Sequence, residues 1–247
     1  MGKREKRGKT GKADGVAAAE PRWVVVDVEA SGLDAGADRL LAIAGLAIRF
    51  HAGEPTLQLA DSFEVILRQD EEGGAAEAGV GGGRWDGSDA VIETALDTAI
   101  DRSNILLHGI GLGAQRGGVP AGDALGAFGD WVGDSPIVGY HAAFDQTLIQ
   151  RYCAKHLGRR LDTSWVDLEH VVLLVVPGLP DRSLDSAIAR LGITCARRHQ
   201  AAADTLATAE VLLRIWALAK AEMGGRSDFE SFRRLAARHR WLPRAGA

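Results

Sequence analysis

Residues 22–33 read Arg-Trp-Val-Val-Val-Asp-Val-Glu-Ala-Ser-Gly-Leu, and this stretch decides how the rest of the chain is interpreted. Trp23 to Val28 is almost entirely β-branched or aromatic, which predicts a strand that is apolar on both faces and central in a sheet. Because side chains alternate along a strand, Asp27 and Glu29 project from the same face. Two neighbouring carboxylates in a buried strand repel each other and lose solvation, so a divalent cation with oxygen ligands is the simplest group to offset both charges. The alternative is that the strand ends at Asp27 and that both acids lie solvated in the turn at Ser31-Gly32.

The composition indicates one domain with a sizeable core. The chain has 247 residues, of which 46% are hydrophobic, enough to bury one core. Its two cysteines, Cys153 and Cys195, show no metal-type spacing, so buried free thiols in a reducing compartment are expected. The N-terminus lacks the apolar segment of a secretory signal, and the longest aliphatic run, 171–176, is too short to cross a bilayer. We therefore predict a cytoplasmic protein with no membrane partner.

Charge is distributed unevenly along the chain. Residues 1–12 hold six Lys or Arg and one Glu, a net charge of +5, which leaves −9 for the remainder of a chain whose total is −4. Residues 1–20 are predicted to form a basic, disordered tail that either contacts nucleic acid or aids solubility. The acidic body argues against a protein that coats long duplexes by neutralising phosphates. It is compatible with a protein that grips a few nucleotides through metal ions.

Hydrophobic periodicity predicts an α/β layer structure. Strands at 39–50 and 56–67 follow the first strand and form an antiparallel meander with it. A Gly- and Ala-rich flexible insertion is expected at 71–88. The other predicted elements are a helix at 89–100, a helix that opens at Pro120-Ala121, a short strand at 136–139, a helix with Asp145 in its first turn, helices at 164–175 and 184–191, a long helix at 201–223 and a terminal helix at 228–239. These boundaries divide the chain into the tail, a domain at 21–223 and a short helical extension at 224–247.

Two further acids and one histidine stand where sites of α/β proteins gather. Asp145 opens a helix directly after a buried strand, and Asp204 lies near the start of the last long helix. Each could also be a first-turn carboxylate that gains from the helix dipole. His199 precedes Asp204 by five residues and lies on a predicted loop. A single histidine on a loop is usually exposed to solvent and has no functional role. Taken singly, none of the three identifies a site.

Three motifs, taken together and in order, are far more specific: Val-Asp-x-Glu-x-x-Gly-Leu, Val-Gly-x-x-Ala-x-Phe-Asp and His-x-Ala-x-x-Asp. They resemble the motifs of the DEDD-type 3′–5′ exonucleases, in the histidine branch that includes the proofreading epsilon subunit of bacterial DNA polymerase III, ribonuclease T and oligoribonuclease. The resemblance covers roughly residues 22–218 and implies a ribonuclease-H-like α/β fold, a mixed sheet flanked by helices. It also implies that two Mg²⁺ or Mn²⁺ ions are held by Asp27, Glu29, Asp145 and Asp204, with His199 as the general base. The residues that it implies for substrate binding are Ser31, Gly32, Leu33, His108, His141 and Phe144.

The chain departs from the family pattern around the nucleotide pocket. The family usually has two threonines after the Glu, where this chain has Ala30-Ser31, and usually reads His-Asn where this chain has Tyr140-His141. Neither change removes an implied metal ligand. Both are expected to reshape the surface that holds the terminal nucleotide.

The resemblance and the carboxylates predict a metal-dependent 3′–5′ exonuclease that releases nucleoside 5′-monophosphates from 3′ ends. Single-stranded or frayed DNA is the favoured substrate, with proofreading or repair as the setting and a DNA polymerase subunit as a partner. Two ions about 4 Å apart would clamp both sides of an in-line displacement. Two alternatives stay open, an RNA-directed exoribonuclease of the same family and a non-catalytic module that docks to a polymerase. A scaffold has no reason to keep like charges together in a buried strand, which favours the enzyme.

Overall fold

The computed structural model describes residues 21–69 and 105–241, which build a five-stranded mixed sheet flanked by helices. The strand order is β3-β2-β1-β4-β5, so β1 is central. It pairs antiparallel with β2 and parallel with β4, and the predicted meander of the first three strands is confirmed. The strands are β1 (Arg22–Ala30), β2 (Leu40–His51), β3 (Glu54–Ile66), β4 (Ile137–Gly139) and β5 (Trp165–Asp167).

Helices cover both faces of the sheet. They are α1 (Leu112–Arg116), α2 (Ala121–Val132), α3 (Ala142–Leu157), α4 (Leu168–Val175), α5 (Leu184–Leu191), α6 (Ala201–Glu222) and α7 (Phe229–Ala237), followed by a 3₁₀ turn at Arg238–Trp241. Within the described ranges, no helix combines the length and the apolar composition that a bilayer-spanning segment requires.

Strand β1 divides the core into two layers. Val24, Val26 and Val28 pack with buried residues of α2 and α3 on one face. Trp23 and Val25 pack with buried residues of α4, α5, α6 and α7 on the other face. The alternation that makes β1 apolar on both faces therefore also decides which helices meet each face. Continued to the end of the strand, it directs Asp27 and Glu29 to the side of α6.

The predicted helix at 164–175 is wrong in its first part. Trp165 and Val166 instead extend the sheet, parallel to β4. The carboxylate of Asp167 then accepts the backbone N–H of Glu169 at 3.0 Å and caps α4. A short apolar run does not separate strand from helix by periodicity alone, which accounts for the error.

One further difference concerns the segment before β4. The stretch after Ile110 contains the short helix α1, which was not among the predicted elements. The predicted tail at 1–20, insertion at 71–88 and helix at 89–100 lie outside the described residues. The described part of the predicted C-terminal extension holds α7.

Candidate active site

Asp27 and Glu29 lie within the sheet, near the carboxyl end of β1. Both pair with β2, Asp27 opposite Ala44 and Glu29 opposite Ala42, and the strand continues to Ala30. The alternative in which the strand ends at Asp27 is therefore wrong. Both side chains are half-buried, so the sheet holds two adjacent acids in a partly desolvated position.

Asp204, in the first turn of α6, completes a group of three carboxylates. Ligand oxygens of Asp27, Glu29 and Asp204 all lie within 4.8 Å of one another. The neighbouring Thr205 hydroxyl donates to the carbonyl oxygen of Ala44 at 3.4 Å and ties the first turn of α6 to the strand beside Asp27. This arrangement brings together acids that the sequence separates widely.

Asp145 reaches the same strand from the first turn of α3. The side chain is buried, and its Oδ1 accepts the backbone N–H of Val28 at 3.1 Å. Val28 stands between Asp27 and Glu29, so the fourth predicted acid lies next to the strand that carries the first two, although it is outside the group of three whose ligand oxygens lie within 4.8 Å of one another. Since β1 and β4 are parallel, their carboxyl ends meet at one edge of the sheet, where α/β sites gather.

The carboxylates strongly perturb one another. Burial raises the pKa of Asp27 well above its ordinary value, and the charges of Asp145, Asp204 and Glu29 raise it further. Burial is also the main cause that raises the pKa of Glu29 to about 7 and the pKa of Asp145 to about 7. Such a set of hard oxygen donors with a net negative charge fits a divalent cation such as Mg²⁺ or Mn²⁺. The residues that would hold it are Asp27, Glu29 and Asp204, with Asp145 beside them.

His199 lies on the loop before α6, with its backbone in the left-handed region at φ = 60°. Its backbone N–H donates to Oδ2 of Asp204 at 3.0 Å. Its side chain is exposed. The backbone of His199 thus supports a carboxylate of the cluster, while the imidazole faces solvent.

Sequence reasoning missed Arg198, whose guanidinium forms an ion pair with Asp204. The Nε atom of Arg198 also lies 2.6 Å from Oδ1 of Asp185. The available signal was the Arg197-Arg198 pair immediately before His199, since a cation next to a predicted cluster of acids is expected to contact it.

The predicted substrate residues 31–33 form a loop braced by Asp38. The Ser31 hydroxyl donates to Oδ1 of Asp38 at 3.0 Å and accepts the N–H of Arg39 at 2.9 Å. A Cβ added to Gly32 would lie 2.5 Å from the Asp38 carboxylate, so a larger residue there would displace the side chain that braces the loop. Leu33 is 97% exposed. The loop therefore uses Ser31 to hold its own shape and presents Leu33 to solvent.

The other three predicted substrate residues, His141, Phe144 and His108, are each held by different contacts. His141 precedes α3 in the left-handed region at φ = 58°, and its N–H donates to Asp167 at 3.0 Å. This is a position that asparagine, the usual family residue, also tolerates. Phe144 packs against the core layer of β1 that faces α2 and α3. His108 is buried, and its Nδ1 accepts the N–H of Ile110 at 3.0 Å.

A second group with metal-ligating atoms, formed by Asp167, Glu169 and His170, belongs to the framework of α4. Asp167 caps the helix and accepts the N–H of His141, and Glu169 pairs with Arg182 at 3.3 Å. These contacts account for its charges without a metal ion.

The central strand, the parallel neighbour and the converging acids define an α/β protein with its site at the carboxyl edge of a mixed sheet. Residues 87–212, just over half of the chain, match the RNase_T family model, which is described as exonuclease. The chain therefore belongs to this exonuclease family and carries an exonuclease domain. The matched span contains Asp145, His199 and Asp204 but begins after Asp27 and Glu29, which the fold brings to the same place.

Known proteins share the sequence and the fold to different extents. The PolC-type DNA polymerase III of Thermotoga maritima is 24% identical over 192 residues, which cover 78% of this chain and 12% of that protein. A structure of exonuclease I matches with a TM-score of 0.58 and 16% identity, over 80% of this chain and 41% of that chain. E. coli exonuclease I in complex with a dT13 oligonucleotide matches with a TM-score of 0.57 and 15% identity, over 86% and 45%. The chain thus spans less than half the length of these proteins, and the structural likeness confirms the predicted ribonuclease-H-like fold.

The raised pKa values of these carboxyl groups predict that, in EDTA, the protein becomes more stable as the pH is lowered. We expect the thermal midpoint, followed by scanning calorimetry, to rise by about 3–6 °C as the pH is lowered from about 8.5 to about 5.5. Glu29 and Asp145 have folded pKa values of about 7, above those of the unfolded chain, so the folded protein binds protons more tightly as pH falls through 7. With saturating Mn²⁺ the same change should lower the midpoint, because metal ligands must lose their protons. If the thermal midpoint in EDTA instead decreases as the pH is lowered over this range, the proposed repulsion among the carboxylates is contradicted.

Proposed function

We propose that this chain is a metal-dependent 3′–5′ exonuclease that acts on the 3′ ends of single-stranded DNA and releases nucleoside 5′-monophosphates. The observation that carries the proposal is the convergence of Asp27, Glu29 and Asp204 within 4.8 Å, with Asp145 bonded to the strand between the first two. Membership of the exonuclease family supports the reaction class. The oligonucleotide complexes of E. coli exonuclease I support a single strand as the substrate.

The four acids would hold two ions, either Mg²⁺ or Mn²⁺. When bound, such ions supply positive charge to the phosphodiester oxygens at which negative charge develops. His199, whose imidazole is exposed next to the cluster, would remove a proton from the attacking water. Its backbone hydrogen bond to Asp204 keeps residue 199 next to the acids.

The loop after β1 would hold the terminal nucleotide. Leu33 offers an exposed apolar side chain to a base, and the tight turn at Gly32 lets the backbone approach the substrate. Ser31 shapes this loop through Asp38. His108, His141 and Phe144 would complete the surface around the strand end.

Proofreading or repair is the setting that we infer for this activity, in the cytoplasm. The likeness to a PolC-type DNA polymerase III supports association with a polymerase. The same likeness also supports the alternative function, a non-catalytic module that docks to a polymerase. RNA is the alternative substrate, because DNA and RNA differ at the 2′-hydroxyl, which the motifs do not read.

Digestion of a 5′-labelled single strand tests the proposal. With Mn²⁺ or Mg²⁺, we expect a ladder of shortened labelled products, and with EDTA we expect the intact strand. A strand whose terminal linkage is a nuclease-resistant phosphorothioate at the 3′ end serves as the matched control and should persist.

Four outcomes would decide against parts of the proposal. Immediate release of the labelled mononucleotide would show that digestion starts at the 5′ end. Equal activity in EDTA would show that the reaction does not require a metal ion. Faster digestion of a matched RNA strand would favour the exoribonuclease. Absence of turnover on either strand, with Mn²⁺ bound, would favour the docking module.

A further inference from the structure

Arg198 places a positive charge inside the cluster of acids. Its side chain is 26% exposed, and its Nη1 pairs with Oδ1 of Asp204. The positive charge of Arg198 also acts on Asp27 and Glu29. It lowers the pKa of both carboxyl groups, although burial raises each pKa by more. An arginine at this point is a permanent cation at neutral pH, so it offsets part of the repulsion among the acids.

Both oxygens of Asp204 already have partners. Oδ2 accepts the backbone N–H of His199 at 3.0 Å, whereas Oδ1 faces the guanidinium of Arg198. The N–H is fixed by the start of α6, but the guanidinium stands at the end of a long side chain. A divalent ion held by Asp204 together with Asp27 and Glu29 therefore meets Arg198 as its competitor at Oδ1. Two cations on one carboxylate oxygen also repel each other.

Asp185, in the first turn of α5, gives Arg198 a second anchor. Its carboxylate is 63% exposed and lies 2.6 Å from Nε of Arg198, on a different atom from the one that faces Asp204. Arg198 can therefore turn Nη1 away from Asp204 while Nε keeps its bond to Asp185. This second bond limits the free energy needed to displace the guanidinium.

We propose that Arg198 is a tethered internal cation that competes with the divalent ion for Asp204 and so sets the metal concentration at which the site fills. The inference rests on the metal-dependent function proposed above. At low metal concentration Arg198 offsets part of the charge of the cluster, and at high concentration it leaves Asp204 but keeps its bond to Asp185. Metal binding and the position of Arg198 are then linked equilibria.

Calorimetric titration with Mn²⁺ of the full chain and of Arg198→Gln tests the inference. At pH 8.5, where proton competition is reduced, the Kd for Mn²⁺ should be roughly fivefold or more lower in Arg198→Gln. Arg198→Lys keeps the charge and should stay closer to the unaltered chain. Arg238→Gln is the matched control, because it removes a 2.8 Å ion pair with Glu222 at the other end of α6, roughly 27 Å along the helix from Asp204. It should leave the Kd unchanged.

Thermal midpoints distinguish competition from a purely structural role. In EDTA, Arg198→Gln should be less stable than the unaltered chain, and in saturating Mn²⁺ the difference should disappear or reverse. A structural role would lower both midpoints equally and would overturn the inference.

Asp185→Asn provides a second variant at an exposed position. Loss of the anchor should weaken Mn²⁺ binding about two- to threefold, with a smaller effect when Arg198 is already Gln. Mn²⁺ binding by the unaltered chain with an unchanged Kd in Arg198→Gln would overturn this inference alone. Failure of the unaltered chain to bind Mn²⁺ would overturn the proposed function as well.

Discussion

Asp27→Asn is expected to lower kcat on a short single-stranded DNA by roughly 10³-fold or more, measured in single-turnover assays with saturating Mn²⁺. Asparagine has nearly the shape of aspartate but lacks the negative charge, so the variant removes a metal ligand without leaving a cavity. Because burial and neighbouring acids raise the pKa of Asp27, loss of its charge should also relieve repulsion. The variant should therefore be inactive and yet more stable than the unaltered chain in EDTA.

Asp61→Asn is the matched control for this prediction. The Asp61 carboxylate accepts two hydrogen bonds from Arg22, both at 2.8 Å, and these bonds are the main reason that the pKa of Asp61 is lowered. Loss of its charge should therefore reduce stability. Turnover should stay within about twofold of that of the unaltered chain, because the Asp61 carboxylate bonds to Arg22 and not to the substrate or the metal. Turnover by Asp27→Asn comparable with that of Asp61→Asn would show that Asp27 is not a ligand in the reaction.

His199→Ala is expected to lower kcat by about 10²–10⁴-fold, the usual contribution of a general base, while Mn²⁺ affinity changes by less than about twofold. The contact of His199 with Asp204 is made by the backbone N–H, which alanine retains. The exposed imidazole is the part that the substitution removes.

His199→Asn controls for the backbone of this loop. Residue 199 has φ = 60°, a conformation that asparagine adopts more readily than alanine. If the imidazole acts as the base, both variants should be slowed to a similar extent. If His199→Ala loses Mn²⁺ binding as completely as Asp27→Asn does, the assignment of the base is wrong.

Strand β1 could be predicted from the sequence because its signals are local. The period of two in a strand places Asp27 and Glu29 on one face whatever the rest of the chain does, and the two-sided apolar pattern identifies the central strand. The approach of Asp145 to Val28 could not be predicted in the same way, because 117 residues separate them. Only the resemblance of the three motifs to a known family indicated that Asp145 and Asp204 belong to the same site.

Side-chain partners formed across loops account for most of what the sequence left open. The Ser31 hydroxyl was expected to meet the substrate, but its bond to Asp38 depends on the path of the loop back to β2. Asp185 lies in the first turn of α5 and Arg198 lies on the loop before α6, and no periodic pattern encodes how this loop brings the two side chains together. The boundary between β5 and α4 likewise depends on pairing with β4 and on the cap at Asp167.

Mn²⁺ titration of the unaltered chain, Asp27→Asn, Asp204→Asn and Asp61→Asn tests the central claim that the four acids form a two-ion site. We predict that the unaltered chain and Asp61→Asn bind two ions, and that Asp27→Asn and Asp204→Asn lose at least one. Binding of two ions by Asp27→Asn and Asp204→Asn with unchanged affinity, or of none by the unaltered chain, would contradict the claim.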